Sequence, residues 1–257
     1  MKNLNLYWSL LMSKLHQSKT LEHFNRFSWT QYNHNRYWKP RDCIGVYTYW
    51  KICEYFKPKS ILEIGFHEGL SFGLFFEATD DNTEYVCVEL DYSHKAKYFD
   101  FLFKDHPKYN SIKFIEMDSR ELDLTQQFDL IHIDGNHTYQ YIKNDLLKSL
   151  PLLHKNSILI VDDLTEHCPD VEQAVEEYLL GQHGFVPFLS TDREMFFHHV
   201  EHSADDFLDN FISNNATDIM TFFNYDYKGF VVLKGHAPNF FNDNVSIFVD
   251  QLRKFNL

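Results

Sequence analysis

The chain has 257 residues, 44% hydrophobic and 24% charged, a globular balance that excludes wholesale disorder and allows a sizeable core. Lys+Arg number 24 against 37 Asp+Glu, a net charge of −13 that opposes docking on nucleic-acid phosphates or anionic lipid. No stretch has the eighteen or so uninterrupted apolar residues of a membrane span, and the N-terminus lacks a secretory cleavage pattern. The four cysteines (Cys43, Cys53, Cys87, Cys168) show no CxxC spacing, so reduced thiols in a cytoplasmic setting are expected.

Residues 1–57 form an aromatic, polar extension, with Leu4, Tyr7, Trp8, Leu11 and Leu15 at helical spacing. That stripe is expected to pack on the core, close over a substrate as a lid, or make a homodimer contact. From 58 onward the pattern changes to short apolar runs alternating with amphipathic stretches. SILEI (60–64) predicts a first strand, with a helix near 70–79. EYVCVEL (84–90) predicts the second strand, followed by a helix over 93–105. SIKFIEM (111–117) is the third, FDLIHID (128–134) the fourth, followed by a helix over 138–150, and SILIVDD (157–163) the fifth.

A helix near 170–182 follows, and FVPFL (185–189) and GFVVLK (229–234) read as the last two strands. Between them an insertion at about 190–228 reads as a lid or specificity element. Strands this apolar, separated by helices, predict a doubly wound, mostly parallel seven-stranded α/β sheet with helices on both faces.

Chemistry gathers where the strands end. Gly65 and Gly69 follow the first strand in a GxxxG spacing, which permits a tight turn and close ligand approach at a helix start. It lacks the GxGxxG of a nicotinamide-binding turn, which makes an oxidoreductase the weakest rival. Glu89 closes the second strand, where an acidic side chain accepts from ribose hydroxyls. Asp118 and Ser119 end the third strand, where an adenine edge would lie. Asp134 ends the fourth strand, and Asp162 and Asp163 end the fifth. Neighbouring strands lie about 4.8 Å apart, so the three carboxylates can meet at one rim and suit Mg²⁺, or serve as a cap and loop hydrogen bonds. His137, three residues after Asp134, is a candidate general base, or else positions substrate or caps the helix. His198, His199 and His202 cluster near Glu201, with no HExxH motif to make them a metal site.

Taken together, LEIGFHEGLS, VCVEL, FIEMDS, FDLIHIDGNHTY and ILIVDD resemble the class I S-adenosylmethionine-dependent methyltransferases over about residues 58–165. The ExGxxxGxS form is similar to the catechol and caffeoyl-CoA O-methyltransferases. DGNHTY and the Asp-Asp pair are similar to the macrocin O-methyltransferase-like group, which acts on sugar hydroxyls. The resemblance implies that Gly65 and Gly69 hold the methionine portion of S-adenosylmethionine and that Ser71 bonds its carboxylate. It implies that Glu89 binds the ribose, that Asp118 and Ser119 border the adenine, and that Glu63 supports the loop or the amino group. It further implies a divalent cation on Asp134, Asp162 and Asp163, with aspartate at 163 where several relatives have asparagine. The expected reaction is O-methylation of a small hydroxylated molecule such as a sugar, a natural product or a phenolic diol. Metal-independent transfer and a non-catalytic cofactor-binding module are the alternatives.

Overall fold

A computed structural model describes residues 48–49, 51–95, 99–164, 168–179, 183–190, 194–201, 204 and 206–207, and the backbone of 221–225 and 230–234. The stripe at Leu4–Leu15, His167, His202 and much of the 190–228 segment lie outside the described residues.

Five parallel strands form where the apolar runs predict them: β1 Ser60–Ile64, β2 Glu84–Glu89, β3 Ile112–Glu116, β4 Phe128–Ile133 and β5 Leu153–Val161. Of the helices, α1 spans Leu70–Ala78, α2 Phe99–Phe103, α3 Tyr139–Ser149 and α4 Pro169–Tyr178. The chain passes from β1 outward to β2 and β3, then returns to place β4 and β5 on the other side of β1. The switch point therefore falls between β1 and β4, where such sheets open a crevice at their C-terminal ends.

β1, β2 and β4 are buried on both faces, which is why they read as continuous apolar runs, whereas β3, at the sheet edge, is half-exposed. One face carries Ile61, Tyr85, Cys87, Leu130, Ile158 and Ile160 and packs on an aromatic layer that includes Phe72, Phe75, Phe76, Phe99 and Phe103. The other carries Leu62, Ile64, Val86, Val88, Ile131, Ile133, Leu159 and Val161. It packs on Ile142 and Leu146 of α3 and Val171, Ala174 and Val175 of α4. The high aromatic content thus serves the first layer, where Phe72, Phe76 and Phe99 meet in tilted and edge-on ring contacts.

The full sheet among the described residues has nine strands in the order β3-β2-β1-β4-β5-β7-β6-β9-β8. Its first seven are the expected seven-stranded α/β sheet, with one reassignment. FVPFL is β6 (Phe185–Ser190), but its partner beside β5 is β7, Met195–His199, antiparallel to both. The run read as the last strand is β9 (Phe230–Lys234); it lies beyond β6 and pairs with β8 (Thr221–Tyr225). The histidine-rich MFFHH obscured β7 in the sequence. In the fold Phe196 and Phe197 are buried on opposite faces, and the His198 and His199 rings pack on Phe188 and Phe185. A strand sends neighbouring side chains to opposite faces, so this pair is not a shared ligand set.

Candidate active site at the strand ends

Backbone hydrogen bonds carry the parallel ladders one residue past the strands. Gly65 N–H donates to Val88 O (2.9 Å), Met117 N–H to Glu89 O (2.9 Å), Asp134 N–H to Ile64 O (2.8 Å) and Asp162 N–H to Ile133 O (3.0 Å). The residues that end each strand are therefore held in register at one rim. Gly65 has φ +93°, and a Cβ there would lie 2.0 Å from the carbonyl oxygen of Asp134, so no other residue fits this crossing of loops. Gly69, at φ +76°, starts α1 beneath the Phe66 ring in the same way.

A cavity of about 390 Å³ opens here. Gly65, Glu89, Asp118, Ser119 and Asp134 line it. Ile64, His67, Val88, Leu90, Met117, Gly135, Asn136 and Tyr141 complete its wall. Tyr141 was legible only as a core position of α3; its ring takes the Arg120 guanidinium at 4.3 Å. Leu90 is 65% exposed, an apolar surface at the cavity mouth.

Glu89 is ordered by two amides: its carboxylate accepts from His67 N–H at 2.6 Å and Leu90 N–H at 2.8 Å. Asp118 caps the short turn at Ser119–Glu121 and binds Arg120, whose guanidinium holds its carboxyl down at about 2. It is ionised at any physiological pH.

Glu63, Gly69 and Ser71 are not among the residues that line the cavity. Glu63 is fully buried on the aromatic face, and burial pushes its pKa up, although His132 and Ser71 oppose that shift. Its Oε1 accepts from Ser71 Oγ at 2.6 Å and lies 2.9 Å from His132 Nδ1. Tyr49 OH reaches His132 Nε2 at 3.3 Å. Tyr49 and His132 were not legible as members of this line, because nothing local marks a contact across 83 residues.

The acidic rim departs in detail from the expected trio. Asp134, His137 and Asp162 bring one ligand atom each within 4.8 Å of one another, while Asp163 groups with His137 and Cys168. His137 thus joins the set, its Nε2 3.3 Å from Asp134 and its Nδ1 3.1 Å from Asp163. Hydrogen bonds that its ring N–H groups donate to both carboxylates push its pKa up to about 10, against the effect of burial. Two carboxylates and an imidazole fit a divalent cation, and the glycine cradle with an amide-ordered acid fits an adenosyl ligand.

Residues 62–164 match the family model described as Methyltransferase domain. Among solved structures, a Staphylococcus aureus protein described as a candidate caffeoyl-CoA O-methyltransferase is similar at 20% identity and TM-score 0.59, covering 77% of this chain and 100% of that one. The methyltransferase PaMTH1 of Podospora anserina, solved with S-adenosylhomocysteine, has 21% identity and TM-score 0.51, covering 77% and 97%. CalS11, a TDP-rhamnose 3′-O-methyltransferase of calicheamicin biosynthesis, has 17% identity and TM-score 0.52, covering 77% and 95%. No curated protein matches the chain in sequence. The matched stretch spans less than half of the chain and contains the strand-end cavity and its acidic rim, so this region is similar to a methyltransferase domain. Among the described residues, no helix is long and apolar enough to cross a membrane.

Proposed function

We propose that the chain is an O-methyltransferase that moves the methyl of S-adenosylmethionine onto a hydroxyl of a small molecule, with a divalent cation, Mg²⁺ for preference, at the rim. The observation that carries this reading is the meeting of Asp134, His137 and Asp162 beside a cavity lined by Gly65 and Glu89.

The methyl donor carries an already activated sulfonium, so the protein's task is alignment and deprotonation. Glu89 accepts the ribose hydroxyls, and Leu90 and Met117 offer apolar surface to the adenine. Asp118 and Ser119 border the same base. Asp134, Asp162 and Asp163 would hold the cation, which would lower the pKa of a hydroxyl coordinated there. His137 takes the acceptor's proton once the carboxylates that now hold its own are engaged elsewhere; as it stands it is an imidazolium. The acceptor class is a sugar, natural-product or phenolic diol, in keeping with the TDP-rhamnose 3′-O-methyltransferase activity of CalS11 and the description of the Staphylococcus aureus protein. The free thiols Cys53, Cys87 and Cys168 support a cytoplasmic setting, and the aromatic N-terminal stripe supports a homodimer.

The hydrogen bonds of His137 to both Asp134 and Asp163 favour a second reading, in which the rim works without a cation. Radiolabelled methyl transfer to a panel of catechols and sugar diols, with and without EDTA, tests both. Transfer lost on chelation and restored by Mg²⁺ supports the first reading, and undiminished transfer supports the second. Tight cofactor binding with no product across the panel would point to a non-catalytic binding module.

A further inference from the structure

Cys168 has no part in methyl transfer as read above, yet it stands next to the acidic rim. It is half-buried, a free thiol, and immediately precedes Pro169 at the start of α4. One ligand atom each from His137, Asp163 and Cys168 lies within 4.8 Å of the others, and His137 Nδ1 is 3.1 Å from Asp163 Oδ2. An imidazole, a carboxylate and a thiol therefore converge from three separate segments: the loop before α3, the end of β5 and the start of α4.

Donor chemistry separates this trio from its neighbour. Mg²⁺ takes oxygen donors in near-octahedral geometry and does not favour sulfur. Sulfur, nitrogen and oxygen together are the donors of Zn²⁺, at about 2.3 Å for sulfur and about 2.0 Å for nitrogen and oxygen. Donors within 4.8 Å of one another need little movement to reach such a centre. Three protein ligands leave one tetrahedral position for water or a substrate atom.

We infer that His137, Asp163 and Cys168 form a second cation site, for a thiophilic divalent ion such as Zn²⁺, which shares His137 with the Asp134–Asp162 set. Binding displaces the thiol proton of Cys168 and one imidazolium proton of His137 to solvent, so the ligands are a thiolate and a neutral imidazole. The site itself goes beyond the methyl-transfer reading and does not depend on it. Its consequence does depend on that reading: an imidazole engaged here is withdrawn from proton transfer, so Zn²⁺ inhibits where Mg²⁺ supports.

Co²⁺ is the probe, because thiolate ligation gives a near-ultraviolet charge-transfer band that oxygen ligation lacks. The site predicts this band in the unaltered protein at one Co²⁺ per chain, competed away by Zn²⁺ but not by Mg²⁺. It persists in Cys43→Ser and Asp162→Ala and disappears in Cys168→Ser and His137→Ala. An unchanged circular-dichroism spectrum and thermal midpoint show that Cys168→Ser is folded. No variant is needed for the second measurement, in which Zn²⁺ slows alkylation of Cys168 by iodoacetamide at least tenfold, read by mass spectrometry. Absence of the band, its survival in Cys168→Ser, its loss in Asp162→Ala, or alkylation unaffected by Zn²⁺ would each overturn the assignment. None of these results bears on whether the protein binds S-adenosylmethionine.

Discussion

Ser71 Oγ donates to Glu63 Oε1 at 2.6 Å. A serine has one hydroxyl proton, so with that proton on Glu63 the oxygen meets a ligand only as an acceptor. A methionine ammonium satisfies it, whereas the carboxylate expected from the resemblance requires the hydroxyl to turn. On the other side Glu63 is joined to His132, and His132 to Tyr49, so the glycine loop is tied through the core to the segment that carries Tyr49. Ser71→Ala removes one neutral hydrogen bond and is expected to weaken S-adenosylhomocysteine binding about fivefold, roughly 1 kcal/mol. Glu63→Ala also strands the fully buried His132 and is expected to cost about 3 kcal/mol of stability in urea unfolding. Wild-type affinity in Ser71→Ala would make Ser71 a prop for Glu63 alone.

In the proposed reading, Glu89 is the acid on which adenosine recognition rests. Replacing it with alanine removes charged acceptors worth about 1.5–3 kcal/mol and releases the amides of His67 and Leu90. Equilibrium dialysis of Glu89→Ala is expected to show a loss of affinity for S-adenosylhomocysteine of about ten- to hundredfold. A change under threefold would move the ribose elsewhere.

Gly65→Ala places a methyl 2.0 Å from the Asp134 carbonyl at φ +93°, so the β1 and β4 loops must separate. The expected result is a protein with a clearly lowered Tm and no measurable cofactor binding, since both loops line the cavity. Binding at wild-type strength would mean that the two loops do not need to touch.

Asp145 lies fully buried in α3, and neither carboxylate oxygen has a partner at hydrogen-bonding distance, although Ser119 and Asn144 lie close enough to draw its pKa down somewhat. Burial pushes the carboxyl up to about 6 from the ordinary 3.8. A raised carboxyl stabilises the fold below its unfolded pKa, and that stability is lost as pH rises from about 4 through 6. Two pK units correspond to about 3 kcal/mol. Asp145→Asn should therefore be more stable than the parent at pH 8, by about 1–3 kcal/mol, and lose the advantage near pH 4. Chemical denaturation at both pH values checks this; a variant less stable at pH 8 would show that the ionised carboxylate is well solvated or bonded.

The sheet was legible because β1, β2 and β4 are buried on both faces, so SILEI, VCVE and LIHI stand out as apolar runs without any tertiary knowledge. The cavity residues were legible for a related reason: each sits one step beyond such a run. What the sequence could not show depends on distance in the fold. His132 looked like one more polar residue within a strand, and only the neighbouring register turns it toward Glu63. Cys168 carried no spacing signal because its partners come from two other segments. β7 was hidden because two histidines follow its two buried phenylalanines, a pattern equally compatible with a helix.

Isothermal titration of the unaltered protein with S-adenosylmethionine, alongside NAD⁺, tests the central assignment most directly. The strand-end cavity predicts saturable uptake of one S-adenosylmethionine per chain and no heat from NAD⁺. Saturable NAD⁺ binding, or no uptake of S-adenosylmethionine by folded protein, would contradict it.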